Sequence, residues 1–281
     1  MRLEGDLPIP IPDPIHLHRW AAGPEPRATV FLVHGLGGHG GQFKRLATDL
    51  NHCGYEVLAP DLPGHGLSAG ERGWIRQWAD LRNALAGVIE PLLCGPSRPP
   101  SFLFGHSLGG AVVVDLLLDR QNGAHPLPIA GAILCNPAIA SDGIQRWRLL
   151  VARLFSRFHP HFSLDPGFAL ETASRDPAVL SAYAADPLHH HRATARLACE
   201  FLAATDRIRR QAPELRTPVL LLQSGADQVT PPGPARRFFE TLGSEDKRWR
   251  FYPESYHHLH DDLDRELMLS DLVHWLQEHG G

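Results

Sequence analysis

Ser101-Phe102-Leu103-Phe104-Gly105-His106-Ser107-Leu108-Gly109-Gly110-Ala111-Val112-Val113-Val114 joins an apolar run to a helical one through a glycine-flanked serine. Ser101–Phe104 lacks polar alternation and predicts a buried strand, while Gly110–Gln121 predicts a helix. Between them, Gly105-His106-Ser107-Leu108-Gly109 has the Gly-x-Ser-x-Gly spacing of a sharp strand-to-helix turn. A serine hydroxyl is a weak nucleophile unless a turn presents it beside a base, and the flanking glycines allow that strained geometry without Cβ clashes. Ser107 is therefore the candidate nucleophile.

Outward from this turn, further aliphatic runs occur at Thr29–Val33, Tyr55–Ala59, Gly131–Cys135, Pro218–Gln223 and Arg248–Tyr252. Most lack alternation, as strands do when helices cover both faces of a parallel sheet. Helical stretches lie between them at Gly41–His52 and Trp74–Leu93. The repetition predicts an α/β fold with a mostly parallel, doubly wound sheet. The rhythm breaks after Asn136-Pro137. From Ser141 to Gln211 the sequence shows helical periodicity, turns at Asp165-Pro166, Asp176-Pro177 and Asp186-Pro187, and no strand signal. Strand chemistry resumes at Thr217-Pro218-Val219. The expectation is one core built from residues 1–140 and 212–281, interrupted by a helical cap at 141–211.

The 281 residues, 43% of them hydrophobic, suffice for one sizeable core plus such an insertion. Twenty-seven basic residues against 31 acidic ones give a net charge of -4 with no long run of either sign, which argues against a nucleic-acid partner. Met1–Pro14 is Pro-rich and acidic, unlike a signal peptide, and no apolar run has the length of a membrane span. Cys53, Cys94, Cys135 and Cys199 form no metal-binding spacing and read as reduced thiols, so a cytoplasmic location is expected. Neither His189-His190-His191 nor His16 and His18 comes with a carboxylate cluster, and a solvated or capping role is expected for them. No metal is expected at the site.

A serine nucleophile needs a base, and the base needs an acid to hold its tautomer. The strand–turn–helix setting of Ser107 resembles the α/β-hydrolase fold, in which the acid and then the histidine follow the serine. Val219–Leu222 ends in Gln223-Ser224-Gly225-Ala226-Asp227, which makes Asp227 the candidate acid. Arg248–Tyr252 ends in Pro253-Glu254-Ser255-Tyr256-His257, which offers His257 as base. His258 and His260 lie so near that position alone leaves all three open. Asp261 and Asp262 are expected to open the last helix, and Asp61 to be a turn residue. Backbone donors for the tetrahedral intermediate are expected from Leu108 and from Leu36 in His34-Gly35-Leu36-Gly37-Gly38. That loop lacks the Lys-Ser/Thr of a phosphate-binding loop.

The chain resembles the monoacylglycerol lipase and lysophospholipase group of α/β-hydrolases, the serine aminopeptidase S33-like hydrolases, from about Arg27 to Glu266. The resemblance rests on His34-Gly35-Leu36-Gly37, on Asp61-Leu62-Pro63-Gly64-His65-Gly66 with its continuation to Gly73, and on Gly105–Gly110. It also rests on Tyr183-Ala184-Ala185-Asp186-Pro187-Leu188 and on Tyr256-His257-His258-Leu259-His260. It implies Ser107, Asp227 and His257 as the triad, because the group's histidine directly follows an aromatic residue, here Tyr256. It implies His260 near the polar end of a substrate pocket; Gly38, Gln42, Trp147 and Tyr183 are further substrate-binding candidates. Where the group has Gly-Glu-His-x-Gly-Arg, this chain has Gly37-Gly38-His39-Gly40-Gly41-Gln42, so the glutamate and arginine of the polar end are missing.

Within the cap, Ile144, Trp147, Val151, Leu154, Phe155 and Phe158 recur at helical spacing beside Arg146, Arg148, Arg153 and Arg157. Such a segment suits an acyl tunnel or peripheral contact with an anionic lipid surface. The expected substrate is the carboxylic ester of a single-chain lipid, cleaved through an acyl-enzyme without a cofactor. Activity is expected to fall as the base gains a proton. A carboxylesterase for small or aromatic esters and a non-catalytic ligand-binding protein are the alternatives, separable by chain-length preference and by turnover.

Overall fold

The computed structural model describes residues 14–94, 98–121, 123, 126–139, 154–164, 167 and 169–280. Of the sequence expectations, Met1–Asp13, the Asp165-Pro166 turn and the cap positions Ile144, Trp147 and Val151 lie outside the described residues. Seven strands form one sheet: β1 (Leu17–Trp20), β2 (Thr29–Val33), β3 (Glu56–Pro60), β4 (Ser101–His106), β5 (Gly131–Cys135), β8 (Val219–Ser224) and β9 (Lys247–Tyr252). Their order is β1-β3-β2-β4-β5-β8-β9. Every neighbouring pair is parallel except β1 with β3.

Successive residues of a strand point to opposite faces, and the two faces bury different partners. Phe31, Val33 and Leu103 face one apolar cluster, shared with Leu81 and Leu85 of α2 (Trp78–Leu93) and Val112 and Leu116 that follow Ser107 in α3 (Leu108–Gln121). Val30, Leu32, Phe102 and Phe104 face the other, shared with Leu46 and Leu50 of α1 (Lys44–His52) and with Leu272 and Trp275 near the C-terminus. Helices therefore cover both faces, and the central strands are buried at every position. This is the doubly wound sheet that the unalternating runs predict.

Between β5 and β8, the stretch expected as an insertion, lie α4 (Pro177–Ala185) and α5 (Ala195–Gln211); α6 (Pro232–Thr241) follows β8 and α7 (Arg265–His279) follows β9. Three expectations need correction. β1 has no counterpart in the sequence reading, because Leu17-His18-Arg19-Trp20 is a short, polar edge strand without an aliphatic signature. The insertion does contain strands: β6 (Ser163–Leu164) pairs antiparallel with β7 (Ala193–Thr194), a ladder too short to leave a period in the sequence. Finally, α5 is core on one face, since Leu197, Ala204 and Ile208 join the cluster of α2 and α3. The structural return to the core thus precedes residue 212.

Helix starts also differ from their apolar periods. α3 begins at Leu108, directly after the turn, and α2 begins at Trp78, where Gln77 and Asp80 cap each other reciprocally. Among the described residues no helix is long and apolar enough to cross a membrane.

Candidate active site

Ser107 is the one residue between β4 and α3, and its φ is 53°. A non-glycine residue in this region costs on the order of 1–3 kcal/mol and persists only where its surroundings enforce it. Three backbone hydrogen bonds do so: Ser107 N–H donates to Cys135 O (3.1 Å), and Ser107 O accepts from Gly110 N (2.9 Å) and Ala138 N (2.9 Å). The requirement for glycine at 109 is steric, because a Cβ there would stand 2.2 Å from Val33 O. Strand, strained turn and helix together aim the serine above the C-terminal edge of the sheet.

The loops leaving β8 and β9 meet at the same edge. Asp227 and His257 are buried, and His257 Nδ1 donates to Asp227 Oδ2 at 2.7 Å. Asp227 is held further by Val229 N and Thr230 N on Oδ1, both at 2.8 Å, and by Thr230 Oγ1 on Oδ2 at 2.7 Å. Burial alone would raise the carboxyl pKa, but the His257 ring and the Thr230 hydroxyl and amide outweigh it and hold it below the ordinary value. Asp227 is therefore an anion aimed at the ring nitrogen that must stay protonated for His257 Nε2 to act as a base.

The three neighbouring histidines part company here. His258 Nδ1 donates to Tyr183 OH (3.0 Å), whose own proton goes to Asp261 Oδ2 (2.7 Å). Among the described residues the one carboxylate near His260 Nε2 is Asp261 Oδ2, at 3.9 Å. Burial lowers the pKa of both rings, most strongly for His258, where the imidazoles of His257, His260 and His189 add to the effect. Of the three, only His257 is paired with the acid loop after β8.

Asp261 and Asp262 do not open the last helix, which starts at Arg265. Asp262 is buried and accepts from Tyr256 N (2.7 Å) and Arg175 Nε (2.7 Å), so it shapes the histidine loop instead. Asp61 is more than a turn residue. Fully buried, it accepts from Gly40 N (2.7 Å), Leu67 N (2.8 Å) and His18 Nε2 (3.1 Å). Burial opposes its ionisation, yet His18 and these amides bring its pKa down to about 2.

Leu108 opens α3, so its amide is among the N–H groups a helix leaves without an internal acceptor. Leu36 stands in the loop after β2, and neither amide donates to another described backbone group. That loop is fixed from above by the insertion: His190 N–H donates to Gly37 O (3.0 Å), and His39 Nε2 meets Asp186 Oδ2 at 2.7 Å. Gly37 must be glycine, since its φ is 76° and a Cβ would stand 2.0 Å from His190 O.

Ser107 borders two cavities. The first, of about 80 Å³, is rich in histidine and is lined by His257, His258, His260, His189, His190 and Gln42 among others. Gly38 and Tyr183 line it too, although the Tyr183 hydroxyl is already committed to Asp261. Gln42 Oε1 accepts from His39 N (3.3 Å), while Gln42 Nε2 and His260 Nδ1 are buried without partners, free to meet a polar group. Of the solvated or capping role expected for these histidines, His190 Nδ1 accepts from Arg192 N (3.3 Å) and His191 is exposed, while the half-buried His189 and His190 also line this wall. The second cavity, of about 440 Å³, is apolar and is lined by Leu36, Leu108, Ile139, Leu197, Phe201 and Leu202 among others.

Sequence reasoning missed Thr230 and Asn136. Asp227-Gln228-Val229-Thr230 carries a legible signal, a hydroxyl three residues after an acid, the spacing of a local side-chain cap. Asn136, with φ 44°, donates from Nδ2 to Ser224 Oγ (2.9 Å) and His257 O (2.7 Å) and accepts from Ser224 N (2.7 Å). It ties the acid strand to the histidine loop through neighbours about a hundred residues away, and no local pattern marks it.

Comparison with known proteins places the chain in a family. The model of the family described as serine aminopeptidase, S33, matches residues 24–264. A monoacylglycerol lipase of Mycolicibacterium smegmatis is 27% identical, over 92% of this chain and 91% of its own. The monoglyceride lipase of Rattus norvegicus is 31% identical, over 87% of this chain and 80% of its own. The crystal structure of a Paleococcus ferrophilus monoacylglycerol lipase superposes with a TM-score of 0.83 at 33% identity, covering 94% of this chain and 99% of that one. The chain belongs to the serine aminopeptidase S33 family of hydrolases.

Proposed function

We propose that the protein hydrolyses the carboxylic ester of a single-chain lipid, a monoacylglycerol first of all, through an acyl-enzyme on Ser107. The observation that carries this reading is the position of Ser107 between an apolar cavity of about 440 Å³ and a small histidine-lined one that holds the unpartnered Gln42 Nε2 and His260 Nδ1. One side suits an alkyl chain and the other a hydroxylated head group. Relatives named monoacylglycerol or monoglyceride lipase support the same substrate class.

In this reading, His257 Nε2 takes the proton of Ser107 Oγ as the oxygen attacks the ester carbonyl. The Leu36 and Leu108 amides donate to the developing oxyanion, each worth typically ~10²–10³ in rate. His257 then returns the proton to the leaving alcohol, and water repeats the sequence on the acyl-enzyme. Asp227 keeps the imidazole in the required tautomer and stabilises its cation. The wall of the smaller cavity offers mainly imidazoles and an amide, which suit the hydroxyls of a neutral head group, and the Arg192 guanidinium makes a lysophospholipid the comparator.

The test is fatty-acid release from monoacylglycerols of increasing chain length, with a lysophospholipid and a short ester as comparators. Each buried methylene is worth ~0.8 kcal/mol, so kcat/KM is expected to rise about fourfold per methylene until the cavity is full. Ala198→Phe, which fills part of the apolar wall, is expected to move the optimum to shorter chains and spare the short ester. A preference for short esters in the wild type would instead favour a small-ester carboxylesterase.

Peripheral lipid contact is part of the same proposal. Leu154, Phe158 and Phe162 are 58%, 64% and 45% exposed, and the Arg157 guanidinium lies 6.0 Å from the Phe158 ring. Leu154→Ser with Phe158→Ser removes about 3–4 kcal/mol of apolar insertion and should weaken binding to anionic vesicles by ~10²-fold in a sedimentation assay. Hydrolysis of a water-soluble ester should be unchanged. Equal vesicle binding by wild type and variant would remove this face from the account.

A further inference from the structure

Beside the nucleophile, three imidazoles come together from the end of a strand and from a loop. His106 ends β4, and His257 and His258 follow β9. One ring nitrogen of each lies within 4.8 Å of the other two. Ring centroids are 4.8 Å apart for His106 with either neighbour and 5.5 Å for His257 with His258.

Their hydrogen bonds determine which nitrogen of each ring is bare. His106 Nε2 is 3.1 Å from His257 O, a carbonyl that can only accept, so Nε2 carries the proton and Nδ1 does not. His257 Nδ1 donates to Asp227, which leaves Nε2 bare. The proton of Tyr183 OH is spent on Asp261, so its oxygen accepts from His258 Nδ1, again leaving Nε2 bare. The bare Nδ1 of His106 and the Ser107 Oγ both border Gly35: a Cβ built there would stand 3.3 Å from the one and 3.5 Å from the other. Each ring thus has one N–H anchored by an acceptor and one lone pair unspent, which is the arrangement of histidine metal ligands.

We propose that His106, His257 and His258 form an inhibitory site for a borderline divalent cation, Zn²⁺ in the first instance. A tetrahedral Zn²⁺ with Zn–N bonds of ~2.0–2.1 Å sets its nitrogens roughly 3.4 Å apart, so the three rings, each with a nitrogen within 4.8 Å of the others, must close and turn their bare nitrogens onto one point. Coordination occupies the lone pair of His257 that takes the serine proton, and hydrolysis stops while the ion is bound. Binding rests on the three rings alone; inhibition rests also on the reading of His257 as the base.

The experiment separates the two. Ser107→Ala keeps all three rings, and calorimetric titration with Zn²⁺ is expected to show one ion per chain. Wild-type hydrolysis of a water-soluble short-chain ester should fall at least tenfold in micromolar Zn²⁺ and return on adding EDTA. His258→Gln should weaken both binding and inhibition by ~10-fold or more, each variant being compared with its own metal-free rate. Absence of binding to Ser107→Ala below about 100 µM Zn²⁺ would overturn the site. So would relief of inhibition by His16→Gln but not His258→Gln, since His16, His18 and Asp61 form the other such cluster among the described residues. Binding without inhibition would overturn the inhibitory role and count against His257 as the base.

Discussion

Ser107→Ala is expected to lower kcat on a monoacylglycerol by ~10⁴-fold or more while the protein keeps its fold. The size follows from the reaction: without an oxygen on residue 107 no acyl-enzyme can form, and only oriented binding and the oxyanion donors remain. The intact fold follows from the structure. Alanine keeps the Cβ, the turn at φ 53° is enforced by backbone bonds to Cys135, Gly110 and Ala138, and none of these involves the hydroxyl. The melting midpoint should stay within about 3 °C of wild type. Steady-state release of fatty acid together with a thermal melt checks both halves. A variant that keeps more than about a tenth of wild-type kcat would remove Ser107 from the mechanism and, with it, the roles of Asp227 and His257.

The turn at Ser107 is legible in sequence because strand, turn and helix are consecutive there, so local pattern and local structure coincide. The parallel strands are legible for a related reason: burial on both faces leaves unbroken aliphatic runs, and Thr29–Val33 and Gly131–Cys135 have the same bounds in sequence and structure. β1 is not, since an edge strand needs little apolar character. The choice among His257, His258 and His260 lies beyond local sequence because it is made elsewhere. Asn136 binds the His257 carbonyl from β5, Arg175 binds Asp262 from the insertion, and Asp227 arrives from the loop after β8. In the sequence only the resemblance to a family singles out His257; in the structure His257 is the one of the three that meets Asp227. His189 and His190 illustrate the opposite case. A run of histidines looks solvated in a sequence, and only the closure of the insertion onto Gly37 turns it into a cavity wall.

Acidification from pH 7.5 to 5.5 is expected to remove a large part of the protein's stability, starting above the range in which carboxylates titrate. His34 and His65 are fully buried, and burial brings their pKa values down to about 3 and about 4; for His34 the repulsion of His65 is the second cause. The hydrogen bonds agree with a neutral His34: Nε2 accepts from Leu62 N (2.9 Å), and Nδ1 donates to Gly35 O (2.8 Å). In the unfolded chain both rings titrate near ~6.5. Above that pH both states are neutral and stability is full. Below it the unfolded chain takes up protons that the folded one refuses, so stability falls as pH falls, until the folded values are reached. Each ring contributes ~1.4 kcal/mol per pH unit in this window, hence roughly 2–3 kcal/mol per unit for the pair, against a net stability of about 5–15 kcal/mol. His106, His258 and His260, also buried and lowered, act in the same direction. Asp61, held at about 2, contributes stability that is lost only as pH falls below the ordinary carboxylate range, a separate and lower window. Urea midpoints should therefore change little from pH 7.5 to 6.5 and drop steeply from 6.5 to 5.5, and His65→Gln should flatten that drop by ~1.4 kcal/mol per pH unit. A midpoint constant down to pH 5 would mean that these rings are protonated in the fold and that the neutral histidine core described here is wrong. Activity adds a further distinction. Protonation of the base is reversed within mixing time on returning to pH 7.5, whereas activity lost through unfolding returns only as fast as the chain refolds.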